Sequence, residues 1–129
     1  MSRLLIVEDQ PNDLRNAAEV ARSLGFTSVE ARASSMAARV LLDAGLLGET
    51  SLPDAIILDL DLGYESGYEL LRFWHSTPQL SKIPLIVWTV AGDEQREICG
   101  LFKVNAYVSK MDDISQLRNV LSGFAAAAS

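Results

Sequence analysis

The chain has 129 residues, 49% hydrophobic and 7% aromatic, a size and composition that fit one domain with a real core. No apolar run approaches the roughly 20 residues a membrane-spanning helix needs, and the N-terminus lacks a signal-peptide pattern, which predicts a cytoplasmic protein. A net charge of −6 without a basic cluster argues against direct nucleic-acid binding, and the lone Cys99 excludes an internal disulfide or a thiolate metal cage.

The opening RLLIVED is apolar from Leu4 to Val7 and ends in Glu8 and Asp9, the pattern of a strand buried on both faces. QPND follows as a turn, with Asn12 placed to cap a helix. That helix carries Leu14, Ala17, Ala18, Ala21 and Leu24 at helical spacing, and Gly25 closes it. FTSVEARA reads as a weaker, more polar strand. Ser34 or Ser35 then caps a second helix, with Met36, Ala37, Val40, Leu41 and Ala44 expected inward, and residues 45–53 form a loop. DAIILD is a third buried strand. A helix from about Gly67 to His75 turns Leu70, Leu71 and Trp74 inward, STPQLSKIP is a connector, and LIVWT is a fourth buried strand. GDEQREICGLF begins acidic and continues as an amphipathic helix, in which Cys99 reads as a small buried hydrophobe. AYVS is a short fifth strand that leads to Lys110. Ile114, Leu117, Leu121 and Phe124 stripe a last helix that opens at Asp112 or Asp113, and residues 125–129 are expected to be a low-complexity tail after a domain of residues 1–124.

Five strands alternating with five helices predict an α/β fold with a parallel sheet covered on both faces, because parallel strands need helical crossovers. In such sheets ligands bind beyond the carboxyl ends of the strands. Those ends carry Glu8 and Asp9, then Asp59 with Asp61 beyond it, then Thr89, then Lys110. Aspartate is depleted in strands, so paired carboxylates at a strand end suggest a demand for their oxygens.

Carboxylates sharing one pocket repel each other unless a cation joins them. Oxygen donors without a nearby histidine or thiolate favour Mg²⁺ over zinc. A lysine and a hydroxyl beside such an ion can cradle a phosphoryl group, and an aspartate among them can serve as the nucleophile. The chemistry implied is phosphoryl transfer to a carboxylate.

With these residues in order, the chain resembles a response-regulator receiver domain of two-component signalling, of the single-domain chemotaxis-regulator type, over residues 3 to about 124. Glu8–Asp9 resembles the family's metal-binding pair, Asp59 its phosphoacceptor, Gly67 in DLDLGYESG the glycine that follows, Thr89 its hydroxyl position and Lys110 its lysine. Tyr107 falls on the aromatic switch position. The resemblance implies a doubly wound, flavodoxin-like fold with strand order 2-1-3-4-5 and five flanking helices. It also implies Mg²⁺ held by Glu8 through a water, and by Asp9, Asp59 and the Asp61 carbonyl. The implied partners are a histidine kinase or phosphotransfer protein as donor, and a downstream protein, or a second copy, on the face of the fourth helix, fifth strand and fifth helix. It implies a signalling domain and not an enzyme acting on other substrates.

Three positions depart from the family pattern. Leu62–Gly63 replaces Met-Pro, which predicts a looser loop; Asp61 is charged; and Met111 replaces the proline after the lysine, which predicts a trans bond there and a shifted Lys110. These departures support an alternative, a degenerate receiver that binds partners without phosphate. A remote alternative is a haloacid-dehalogenase-like phosphatase, whose Asp-x-Asp motif ILDLDLG resembles, although that motif belongs on a first strand.

Overall fold

The computed structural model describes residues 2–63, 65–90 and 92–128. The strands are β1 (Arg3–Val7), β2 (Ser28–Arg32), β3 (Ala55–Leu58), β4 (Leu85–Thr89) and β5 (Ala106–Ser109). The helices are α1 (Pro11–Ser23), α2 (Ser35–Leu46), α3 (Tyr68–Ser76), α4 (Asp93–Leu101) and α5 (Ile114–Ala128). The five strands form one parallel sheet in the order β2-β1-β3-β4-β5, so the winding reverses between β1 and β3.

Side-chain alternation along the strands divides the core in two. Leu4, Ile6, Ile57, Ile86, Trp88 and Val108 face α1 and α5, where Ala17, Ala21, Leu117 and Leu121 meet them. Leu5, Val7, Ile56, Leu58, Leu85 and Val87 face the other layer, against Ala38, Leu42, Leu70, Leu71, Trp74 and the buried Cys99. Each fully buried Leu or Ile stabilises the fold by about 1.5–3 kcal/mol, and both faces of the central strands contribute.

The structure corrects four local expectations. Helix α1 begins at Pro11 after Gln10, with no side-chain cap, so Asn12 lies inside the first turn; proline starts a helix well because its φ is preset and its missing N–H would have been unpaired. Helix α2 is rotated from the expected phase: Ser35, Ala38 and Leu42 are buried, while Met36 and Val40 are 72% and 63% exposed. The connector contains a helical turn, Pro78–Ser81, which buries Leu80, and Trp74 Nε1 donates to Ile83 O at 2.9 Å just beyond it. The expected tail from residue 125 is helical as far as Ala128, with Ala125 buried in the core layer of α1 and α5. At the start of α5 Asp113 Oδ1 accepts from Ser115 N at 2.8 Å, the capping role expected near Asp112 or Asp113.

Candidate functional site

Backbone pairing continues one residue past each strand and delivers the polar side chains to one rim. Glu8 N donates to Arg32 O, Asp59 N to Val7 O at 3.0 Å, and Lys110 N to Thr89 O at 2.8 Å. Glu8 and Asp59 thereby become neighbours at the point where the winding reverses, with Lys110 reaching over from the far side of β4. Glu8 is 1% exposed and Asp59 4%. Carboxylate oxygens of Glu8, Asp9 and Asp59 lie within 4.8 Å of one another.

Lys110 Nζ sits among three carboxylates, 2.6 Å from Glu8 Oε1, 2.8 Å from Asp13 Oδ2 and 2.9 Å from Asp59 Oδ2. It also stands 5.1 Å from the centre of the Trp88 ring. The other Asp59 oxygen, Oδ1, accepts from Asp61 N at 3.0 Å. An open cleft of about 410 Å³ leads to the group, lined by Asp9, Asp13, Asp59, Asp61, Gly63 and Lys110 among others.

Burial pushes the Glu8 carboxyl up to about 7; the Lys110 hydrogen bond pulls against that shift and the nearby Asp59 charge adds to it. Burial alone would lower the Lys110 ammonium, but hydrogen bonds to Asp13, Glu8 and Asp59 reverse this and hold it above the ordinary lysine range. Asp9 Oδ1 is buried without a hydrogen-bond partner among the described residues. Three converging carboxylates with an unused buried oxygen and an open approach fit a hard divalent cation.

Two glycines shape the loop after Asp59. A Cβ on Gly67 would lie 2.3 Å from Asp59 O and 2.9 Å from Leu60 Cα, so only glycine allows that approach. Gly63, with φ +74°, sits at the turn of a short antiparallel hairpin between Asp61–Leu62 and Glu65–Ser66. The predicted loose loop is therefore a paired one. It is also fastened to α2: the Glu65 carboxylate accepts from Ser35 N, and Ser35 Oγ donates to Ser66 O at 3.1 Å, while Ser34 caps the helix, its Oγ accepting from Ala37 N at 3.0 Å.

The rim brings together Glu8, Asp9, Asp59 and Lys110. Asp61 lines the cleft with its side chain exposed and lies outside the carboxylate trio. Thr89 is buried at the end of β4, on the wall of a second hollow of about 440 Å³ that also includes Leu60, Tyr68 and Gln95. Tyr107 is half-buried and points away from the carboxylates: its hydroxyl donates to Gly92 O at 3.5 Å and its ring lies 4.7 Å from the Arg96 guanidinium. No peptide bond among the described residues is cis, and Lys110 still reaches Asp59, so Met111 does not displace it. Asp13 is the residue the sequence reading missed. Its only signal was a second acid four residues after Asp9, one turn into the helix on the same edge.

Comparison with known proteins agrees with this fold. The model of the response regulator receiver domain matches residues 4–122. Response regulator Rcp1 of Synechocystis is 28% identical over 123 residues, covering 93% of this chain and 84% of its own length. The polar-differentiation response regulator DivK of Brucella abortus is 28% identical over 110 residues, 83% of this chain and 82% of DivK. Among solved structures, the phosphorylated cyanobacterial phytochrome response regulator RcpA superposes with a TM-score of 0.79 at 31% identity, covering 95% of this chain and 89% of RcpA. The Mn²⁺-bound form of Rcp1 gives a TM-score of 0.79 at 28% identity, covering 95% and 91%.

Proposed function

The chain belongs to the response regulator receiver domain family, and from that premise we propose that Asp59 is its phosphoacceptor, served by Mg²⁺ and by Lys110. The reading rests on one observation above all: a buried Asp59 carboxylate contacts the Lys110 ammonium on one side and the Glu8–Asp9 acids on the other, at the floor of an open cleft.

In this reading a histidine kinase or phosphotransfer protein presents phosphohistidine at the cleft. An Asp59 oxygen attacks phosphorus, the P–N bond breaks, and its electron pair returns to the imidazole. Glu8, Asp9, Asp59 and the Asp61 carbonyl would hold Mg²⁺, and the ion would supply positive charge against the phosphoryl oxygens. Lys110 donates to one of those oxygens and Thr89 to another. Thr89 shifts toward the phosphoryl group and Tyr107 turns inward beside it. The surface of α4, β5 and α5 is thereby altered for a downstream protein or a second copy of the chain. A differential of about 1–3 kcal/mol between the two arrangements is enough to redistribute their populations 5- to 150-fold. The protein acts in the cytoplasm, where its phosphodonors are made.

Degenerate behaviour, partner binding without phosphate, drew support from Met111, Gly63 and Asp61. Met111 no longer supports it, because Lys110 lies 2.9 Å from Asp59. The discriminating experiment adds Mg²⁺ and then beryllofluoride while Trp88 fluorescence is followed. Both additions are expected to change the emission, and Asp59→Asn is expected to abolish the second change. A native chain silent to beryllofluoride overturns the phosphoacceptor reading.

A further inference from the structure

Among the described residues, Asp13 is the one carboxylate in contact with Lys110 that stands outside the Glu8–Asp9–Asp59 cluster. An ammonium has three N–H donors; here Lys110 donates to Asp13 Oδ2 at 2.8 Å and to Asp59 Oδ2 at 2.9 Å, and Glu8 Oε1 lies 2.6 Å away as an ion pair. In that arrangement three carboxylates compete with an incoming phosphoryl group for Lys110. Two of its three partners are the acids that a divalent cation would claim. The third is not.

We propose that Asp13 is a positioning residue for Lys110, keeping one N–H of the ammonium when Glu8 and Asp59 turn to a divalent cation, so that the other two N–H groups face the cleft. This rests on the reading of the rim as a metal and phosphoryl site, and adds a residue to it. Several features suit Asp13 to the task. It lies in the first turn of α1, a helix whose start is set by Pro11 and whose buried Ala17 and Ala21 fix it to the sheet. Its side chain is 34% exposed while that of Lys110 is 7% exposed, so Asp13 closes the outer side of the ammonium. The lysine stem is held at its base by the Lys110 N to Thr89 O bond, leaving the flexible four-carbon chain to be fixed at its tip. Without the tether, a lysine released by Glu8 and Asp59 would sample many rotamers. With it, the ammonium stays over the Asp59 carboxylate, already aimed at the place a phosphoryl oxygen would take.

The test compares the native chain with Asp13→Asn and Asp13→Glu in two measurements. The first is the hydrogen-exchange rate of the Lys110 ammonium by ¹⁵N NMR in the Mg²⁺-loaded protein. The second is the affinity for Mg²⁺ alone and for beryllofluoride in saturating Mg²⁺. Asp13→Asn is expected to speed ammonium exchange at least tenfold and to weaken beryllofluoride about tenfold, while Mg²⁺ affinity alone moves less than threefold. Asp13→Glu, which keeps the charge, is expected to recover most of both. Exchange and beryllofluoride affinity within twofold of the native chain in Asp13→Asn would overturn the proposal. An equal loss of Mg²⁺ affinity would also overturn it, by making Asp13 part of the metal group. If the native chain binds Mg²⁺ but not beryllofluoride, the phosphoacceptor reading fails, and faster ammonium exchange in Asp13→Asn still supports the tether.

Discussion

The two flanks of Thr89 are built on opposite principles. Toward β1 and β3, charges are paired across the rim: one ammonium joins Glu8, Asp13 and Asp59, and the Asp59 backbone is pressed against Gly67. Toward α4, a hollow of about 440 Å³ lies beside Thr89 and Val90, and Tyr68 Oη and Gln95 Oε1 on its wall are buried without hydrogen-bond partners among the described residues. The first flank holds its charges in fixed geometry. The second holds a neutral hydroxyl and a neutral amide oxygen unpaired among the described residues, so a rearrangement of these groups breaks no ion pair. A domain that recognises a charged event on one side and moves on the other needs that asymmetry.

The contrast can be broken most severely at Lys110. Replacing it with Met leaves Glu8 and Asp59 buried without their counter-charge, and the metal-free protein should lose about 3–5 kcal/mol in urea unfolding. Saturating Mg²⁺ should restore part of that loss; no recovery would mean that these acids do not meet the cation. Next comes Gly67→Ala, where the new methyl group strikes backbone at 2.3 Å and should cost about 1–3 kcal/mol by the same measurement. An unchanged unfolding midpoint would show that the Asp59 carbonyl is free to shift.

Acidity probes the same flank more gently. The Glu8 carboxyl is raised to about 7 by burial first and by Asp59 also, so below that pH a proton would compete with the proposed cation for this carboxylate. Mg²⁺ affinity should therefore be nearly constant above pH 8 and fall toward tenfold per unit below pH 7, a change of about 1.4 kcal/mol per unit. Calorimetric titrations at pH 8, 7 and 6 would check this; a flat profile removes Glu8 from the metal site. The smallest effect is expected across the divide. Tyr68→Phe deletes a buried hydroxyl that has no hydrogen-bond partner among the described residues, so stability should stay within about 1 kcal/mol of the native value or rise slightly. A large loss there would mean the hollow is as tightly organised as the charged flank.

The sheet was legible because its central strands are apolar on both faces and end abruptly in acid or base. Glu8, Asp59 and Lys110 could be placed on one rim from that punctuation alone. Helix α2 was not legible in phase. Met36, Val40 and Ala44 fit a helical stripe as well as Ser35, Ala38 and Leu42 do, and the choice between them is made by Glu65 and Ser66, thirty residues away in sequence. Asp13 escaped for a similar reason, since nothing local marks a helical aspartate as the partner of a lysine 97 positions later. The special demand at Gly67 was visible only as spacing; its cause is the Asp59 carbonyl at its back.

The solitary thiol offers a way to watch the looser flank directly. Cys99 has no accessible surface, lies on the inner side of α4, and has its acidity weakened by burial. A maleimide or disulfide reagent can reach that sulfur only during moments when the helix lifts from the sheet. Labelling of the untouched chain is thus a one-site clock for such excursions, and its ticking with and without beryllofluoride would time the motion without engineering a probe.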